Sequence, residues 1–155
     1  MGRKRFGINF KGFDEMADKL FRLGGGLKPI VEECLEVAPE IINPKLRSEM
    51  AKHRRTGQVE RSIAENEPIE WSGTKARLPV GFDFYKGGFP SIFLMYGTAR
   101  HAPWNQYGRG GGMNGGMKAD KQLYNAIYGT ATATRINAEQ KAIFEREIEK
   151  RMGGK

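Results

Sequence analysis

Residues 118–152 read KADKQLYNAIYGTATATRINAEQKAIFEREIEKRM, and this stretch decides the fold class. Its apolar residues recur every three or four positions, which is the period of an amphipathic helix. An interruption is predicted near Gly129, because glycine weakens a helix interior. The chain is therefore expected to end in a long helix whose apolar side carries Leu123, Ile127, Ile136, Ile143, Phe144, Ile148 and Met152.

Helices are also predicted towards the start of the chain. One is expected from Phe13, and a second begins near Pro29, where a missing amide hydrogen costs nothing. Pro39 should kink or end this second helix. Asn43 followed by Pro44 has the pattern of a new N-cap and first helical residue, so a further helix is predicted there.

Between these helices the pattern changes to short extended segments, at Ile69 to Trp71, Ala76 to Phe84 and Ser91 to Tyr96. Residues Ile92 to Met95 fit a single helical turn equally well. Pro79 indicates a sheet edge or a bulge. The sequence thus predicts an α+β fold with N-terminal helices, a small antiparallel sheet and a long C-terminal helix.

The chain has 155 residues, about the length of one domain. Residues 1–11 are interpreted as an N-terminal arm, with basic residues followed by alternating Phe6, Ile8 and Phe10. Residues 12–155 are predicted to form a single α+β domain, with a glycine-rich loop at 100–117.

The formal charge is +8, which favours an anionic neighbour such as nucleic acid or an acidic protein surface. No membrane association is expected, because the apolar runs fall far short of the about 20 residues that a membrane helix needs. The start of the chain lacks the apolar stretch of a signal peptide, so we expect a protein made and kept in a cytosol.

The sequence has few candidates for catalytic, metal-binding or cofactor-binding residues. Cys34 is the only cysteine and lies in an apolar helical stripe, so a buried inert thiol is predicted. The histidines, His53 and His101, have no metal-ligand spacing, and no metal site is expected. Gly108 to Gly116 lacks the Gly-Lys-Ser/Thr ending of a P-loop, and no cofactor is predicted. We therefore expect no catalytic residue, no cofactor and no small-molecule substrate.

The basic and aromatic clusters allow two interpretations. Phosphate contact fits the clustered cations Arg3, Lys4, Arg5, Arg54 and Arg55. For the run Lys52 to Arg55 the favoured interpretation is the last turn of a helix, where cations stabilise the helix dipole. Trp104, Tyr107 and Arg109 are of the types that stack on bases and also of the types enriched at protein interfaces. The second interpretation is favoured for them.

Three segments together resemble the tail-component family of long-tailed bacteriophages, whose members are tail-completion or head–tail joining proteins. The segment Phe10-Lys11-Gly12-Phe13-Asp14-Glu15-Met16 looks like the family's opening. Arg55-Thr56-Gly57-Gln58-Val59-Glu60-Arg61-Ser62-Ile63 is similar to its Thr-Gly-x-Leu-x-x-Ser-Ile signature, with Val59 in the leucine place. Tyr96-Gly97-Thr98-Ala99 is similar to its Glu-Phe-Gly-Thr turn. The chain departs from the family in a long insertion, Arg100 to Gly116.

The resemblance implies a structural virion protein of the phage neck or upper tail, present in the host cytoplasm during assembly. Its implied partners are copies of itself in a ring, other neck, connector and tail-tube proteins, and genomic DNA in passing. The alternative is a small basic nucleic-acid-binding protein. Gly57 and Gly97 are expected in turn conformations, while Thr56, Ser62 and Thr98 should cap or bridge backbone groups.

Overall fold

The computed structural model describes residues 26–73, 75–99 and 115–152. It has helices at both ends of the described chain and a two-stranded antiparallel sheet between them, which confirms the α+β class. The N-terminal arm and the helix predicted from Phe13 lie outside the described residues. In chain order the elements are helix α1 (Lys28–Met50), a 3-10 turn (Ala51–His53), helix α2 (Gln58–Arg61), strands β1 (Glu70–Ser72) and β2 (Lys75–Arg77), a wide turn (Phe84–Gly88), and helices α3 (Ser91–Tyr96), α4 (Lys121–Tyr128) and α5 (Thr130–Met152).

Helix α1 continues through its two interior prolines, Pro39 and Pro44, so a helix end at Pro39 and a new helix start at Asn43 are both wrong. Each interior proline costs about 3 kcal/mol. A fully buried large apolar side chain contributes about 1.5–3 kcal/mol, and α1 buries a continuous stripe of them at helical spacing, which outweighs that cost. The stripe is Ile30, Cys34, Val37, Ala38, Ile41, Ile42, Leu46 and Met50.

Two side-chain hydrogen bonds accompany this continuous helix. Gln140 Nε2 donates to the Cys34 carbonyl at 2.8 Å, one residue before the Leu35 carbonyl, which Pro39 leaves without its helical donor. Asn43 does not cap a helix, because its Nδ2 donates to the Ala64 carbonyl at 2.9 Å. Local sequence rules for proline and asparagine are thus overridden here by partners distant in sequence.

The sheet is smaller than predicted. Strands β1 and β2 form a hairpin with Trp71 opposite Ala76, and the second strand ends at Arg77 rather than at Phe84. Pro79 cannot donate to a ladder. In the described residues beyond it, only Phe82 forms a bridge, to Ile63. Ser91–Tyr96 is a helix, so the helical alternative for this segment is the correct one.

The C-terminal helix is interrupted at Gly129, as predicted. This residue has extended backbone angles, and a β-carbon there would overlap the Asn125 carbonyl. Asp120 caps α4, since its side chain accepts hydrogen bonds from the amides of Gln122 and Leu123, so the helical region begins at Lys121 rather than at Lys118.

The chain forms two compact units, and the single domain predicted for residues 12–155 stays a prediction. The first unit holds the described parts of Met1–Ile41, Glu67–Pro79 and Thr130–Lys155, and the second holds those of Ile42–Asn66 and Val80–Gly129.

The first unit is built from the start of α1, the hairpin and α5. Its buried side chains include Ile136, Ile143 and Phe144 from α5. Trp71 of β1 donates from Nε1 to Glu32 at 2.9 Å and lies beneath the Lys28 ammonium, 5.7 Å from the ring centroid. These contacts fix the hairpin on α1.

The second unit contains the end of α1 together with α2, α3 and α4. Its core is centred on Leu46 and Leu123, which are completely buried, and on Met50. Met95 of α3 and Ala126 of α4 are buried in the same unit. The turns that connect these helices contain two of the three segments with family resemblance.

Candidate assembly surface

The turn at Gly57 lies in the second of the three family-like segments, Arg55 to Ile63. Gly57 has a φ of 71°, in the left-handed region, as its predicted turn role requires. Its carbonyl accepts from the Arg61 amide at 3.0 Å and so starts α2. Thr56 Oγ1 accepts weakly from the Gln58 amide at 3.4 Å, and Ser62 Oγ donates to the Val59 carbonyl at 2.6 Å. These hydroxyls contact backbone groups, as predicted.

The residues that follow α2 hold the chain that leads into the wide turn. The Ser62 carbonyl accepts from the Asp83 amide at 2.7 Å, and the Ala64 amide donates to the Gly81 carbonyl at 2.7 Å. A β-carbon on Gly88 would lie 2.7 Å from Ser62 Oγ, so the backbone of the wide turn approaches this fully buried serine closely.

Asp83 closes the wide turn itself. Its Oδ1 accepts from the amides of Tyr85 at 2.9 Å and Lys86 at 3.3 Å. Its other carboxylate oxygen lies 3.4 Å from Lys86 Nζ. The turn therefore presents its next side chains outward from a backbone that is fixed by several hydrogen bonds.

The outward side chains form a surface of exposed aromatic rings, which we call the aromatic row. It consists of Phe84 (50% exposed), Tyr85 (91%), Phe89 (55%), Phe93 (41%) and Tyr96 (60%). The ring centroids of Phe84 and Phe89 are 6.4 Å apart and those of Phe89 and Phe93 are 5.6 Å apart, both pairs edge to face. Such pairs hold the rings in a defined arrangement.

The other end of the aromatic row is held at Gly97. This residue has a φ of 71° and a ψ of −179° and ends α3 with its amide on the Phe93 carbonyl at 2.8 Å. Thr98 then makes two hydrogen bonds to Met117: its amide donates to the Met117 carbonyl, and its Oγ1 accepts from the Met117 amide, both at 2.9 Å. The two ends of the insertion between them are thus joined.

Asp120 connects α3, α4 and the 3-10 turn. Its amide donates to the Leu94 carbonyl at 2.8 Å, and His53 Nε2 lies 2.8 Å from its Oδ2. The hydrogen bond with His53 is the main cause that lowers the pKa of Asp120, and the Leu123 amide adds to it against the opposing effect of desolvation. The carboxylate is therefore stabilised in its charged form, in which it caps α4 and contacts His53 of the 3-10 turn.

The basic run that follows α1 is mostly occupied by contacts within the second unit. Lys52 contacts Glu49 and also lies 3.3 Å from Gln122 Oε1. Arg54 forms a two-pronged pair with Glu60 at 2.7 and 2.8 Å. Arg55 is exposed. The hollow beside this run, bounded by Met50, His53 to Gly57 and the first turn of α2, has a volume of about 30 Å³, enough for about one water molecule.

The structure places the predicted residues of the second and third segments, Thr56, Gly57, Ser62, Gly97 and Thr98, in one compact unit. Six others lie outside the described residues, namely Arg3, Lys4, Arg5, Trp104, Tyr107 and Arg109. The aromatic row was not predicted from the sequence. The signal that could have revealed it is the spacing of Phe89, Phe93 and Tyr96, which fits one face of a helix.

The thiol of Cys34 is buried, as predicted. Burial raises its pKa to about 12, the neighbouring Glu33 carboxylate adds to the rise, and Arg146 opposes it. Within residues 26–73, 75–99 and 115–152, no group of three or more His, Cys, Asp or Glu side chains is arranged to hold a metal ion. In the same ranges no helix has the length and apolar character needed to span a membrane.

Comparison with known proteins adds no assignment to this geometry. No family model matches the chain, and neither a curated protein nor a solved structure matches it.

Proposed function

We propose that the chain is a structural subunit of a long-tailed phage particle, which forms a ring in the neck or upper tail and serves tail completion and head–tail joining. Its proposed partners are copies of itself and the adjoining neck, connector and tail-tube proteins. Its place of action is the virion, after assembly in the host cytoplasm. The role is structural rather than enzymatic.

One observation carries this proposal. The segments around Gly57 and Gly97, which resemble the phage family, lie before and after the aromatic row in the sequence. Their side chains and amides contact backbone groups within the unit, while the segment between them exposes five large rings. Exposed apolar surface of this kind, with Phe84, Phe89 and Phe93 in contact, is typical of proteins that assemble with others.

The nucleic-acid-binding alternative receives less support from the described residues. Phosphate contact needs cations that can leave their present partners, and Lys52 and Arg54 each have an acidic partner in the second unit. Arg55 remains as an exposed cation of that run. A single phosphate contact supplies only a small part of the affinity of a DNA-binding protein, which neutralises several phosphates.

Imaging of particles assembled without this protein tests the proposal. We expect free filled heads beside free tails, because the joint between them would be missing. Supplying the wild-type chain in trans should restore joined particles, and this serves as the control. Normal, infectious particles in the absence of the protein would contradict the proposed function.

The N-terminal arm supplies a second test of assembly. Deleting residues 2–10 should leave the circular dichroism of the purified chain unchanged and reduce its incorporation into particles, because Phe6, Ile8 and Phe10 offer an apolar face suited to docking on a neighbour. Equal incorporation of the truncated and full chains would show that the arm has no docking role.

A further inference from the structure

We propose that the aromatic row is the surface through which this chain binds a second copy of itself. The choice of a second copy as the partner rests on the proposed function, since a ring requires contact between identical subunits. The surface itself is inferred from the contacts and exposures of residues 84–96.

Helix α3 is apolar on nearly all sides, and part of its apolar surface is exposed. Its sequence, SIFLMY, has Ser91 as its only polar residue, and both Ser91 and Met95 are buried in the second unit. Phe93 and Tyr96 lie on the exposed side. A helix that is apolar all round is normally buried all round, so the exposed side of α3 requires a covering surface.

The exposed area of the aromatic row is close to what a stable subunit contact needs. An aromatic side chain offers about 150–250 Å², so the exposed fractions of the five rings amount to roughly 450–750 Å² on one chain. A standard interface buries about 800 Å² on each partner. The row would therefore form more than half of one partner's share of such an interface.

The charge of the chain favours this surface for contact between like copies. Two chains with a formal charge of +8 repel each other in most orientations. Between residues 84 and 96 the only charged side chain is Lys86, and its Nζ lies 3.4 Å from the Asp83 carboxylate. The aromatic row therefore brings no net charge to its side of the interface, and on that side no unpaired charge has to be desolvated.

A cysteine-labelling experiment on the full chain measures whether the row is covered. Tyr85→Cys places a thiol at a 91% exposed position, and Ser72→Cys places one at an exposed position of β1 as a matched control. Cys34 is buried, so a maleimide reagent reports the introduced thiol under native conditions.

Labelling of Tyr85→Cys should slow at least about tenfold when the chain is concentrated from a dissociated to an associated state, because association buries the thiol. The rate for Ser72→Cys should not change. The proposal is overturned if the Tyr85→Cys rate is independent of concentration, or if it is slow even in the dilute monomer, since the row would then be covered within one chain.

A second pair of variants tests the energetic role of the row. Phe89→Ser combined with Phe93→Ser should weaken self-association at least about tenfold in sedimentation experiments, since central aromatic residues dominate interface affinity. Phe93→Tyr keeps the ring and should associate almost as the wild type does. Association of the double variant with wild-type affinity, or a wild type that stays monomeric, would overturn the proposal.

The two proposals fail in different ways. A chain that stays monomeric in solution but is required for joined particles refutes the self-association surface and leaves the proposed function standing. A chain that associates through the row but is dispensable for particles refutes the proposed function alone.

Discussion

Replacement of Gly97 by alanine is the sharpest test of the backbone contacts that hold the end of the aromatic row. Its φ of 71° and ψ of −179° lie in a region that is accessible essentially to glycine alone, and an L residue held there is strained by about 1–3 kcal/mol. The added β-carbon would also lie 2.5 Å from the Met117 carbonyl oxygen and 2.8 Å from the Ala119 amide nitrogen. Both are backbone atoms, so the chain near Met117 must move.

That movement would weaken the hydrogen bonds that join Thr98 to Met117, each worth about 0.5–1.5 kcal/mol. Together with the backbone strain, we expect Gly97→Ala to lower the free energy of unfolding by about 2–5 kcal/mol. For a chain of this size a loss of about 3 kcal/mol lowers the melting temperature by about 6–12 °C. Thermal and urea unfolding followed by circular dichroism measures both quantities.

Gly57→Ala is a matched control. Gly57 shares the φ of 71°, but its ψ of 1° places it in the left-handed helical region, and its β-carbon would meet only the Arg61 side chain, at an ordinary 3.5 Å. The expected loss is about 1–2 kcal/mol, from the left-handed conformation alone. Equal losses for the two variants would refute the reasoning, because the close approach at Gly97 would then have no energetic consequence.

Two further predictions concern single contacts. Gln140→Leu should lower the free energy of unfolding by about 1–3 kcal/mol, because it removes the donor to the Cys34 carbonyl inside the first unit. As a control, Glu139→Ala on the exposed side of the same helix should change that free energy by less than about 0.5 kcal/mol. Equal effects of the two variants in urea unfolding would contradict the role of this donor. The carboxylate of Asp120, whose pKa is lowered chiefly by His53, should stabilise the fold fully above its ordinary pKa of 3.8, and this contribution should be lost as the pH falls through the lower pKa of the folded state. Asp120→Asn should reduce the stability at neutral pH and flatten its decline in acid, and an unchanged pH profile would show that the carboxylate contributes nothing.

The parts of the fold that were predictable are those encoded by local patterns. The apolar period of residues 118–152 and the glycine at position 129 were sufficient for the C-terminal helices and their interruption. The positive φ values of Gly57 and Gly97 follow from the same kind of local reasoning, because a turn at those places favours a residue without a β-carbon.

The errors arose where contacts between distant residues outweigh local preference. Pro39 and Pro44 are strong local signals for helix ends, yet α1 continues because its apolar stripe is buried on both sides of them. No local pattern reveals the Gln140 side chain that donates near Pro39, since the two residues are about a hundred positions apart. The sequence contains both members of this pair but not their proximity.

The aromatic row was missed for a different physical reason. The segment SIFLMY is apolar at five consecutive positions, so it satisfies the period of a strand and that of a helix equally well. Its helical conformation is held by hydrogen bonds at both ends: the amides of Phe93 and Leu94 donate to the Pro90 carbonyl, and the Gly97 amide donates to the Phe93 carbonyl. The Asp120 amide also donates to the Leu94 carbonyl. Once these bonds fix the segment as a helix, Met95 turns inward and Phe93 outward.

The aromatic row is therefore exposed because hydrogen bonds fix the orientation of α3, and not because the unit is loosely packed. Rotating α3 to bury Phe93 would expose Met95, and it would also break the bond from the Asp120 amide to Leu94. The hydroxyls of Thr56, Ser62 and Thr98 form hydrogen bonds with backbone groups, so substituting these residues should act on stability first. Any effect on assembly should be strongest for residues of the row itself, which are absent from the family-like segments except for Tyr96. Gly97→Ala should mainly lower stability, and the double variant Phe89→Ser, Phe93→Ser should mainly weaken self-association. Measuring both quantities for both variants therefore separates the role of the turn at Gly97 from that of the aromatic row.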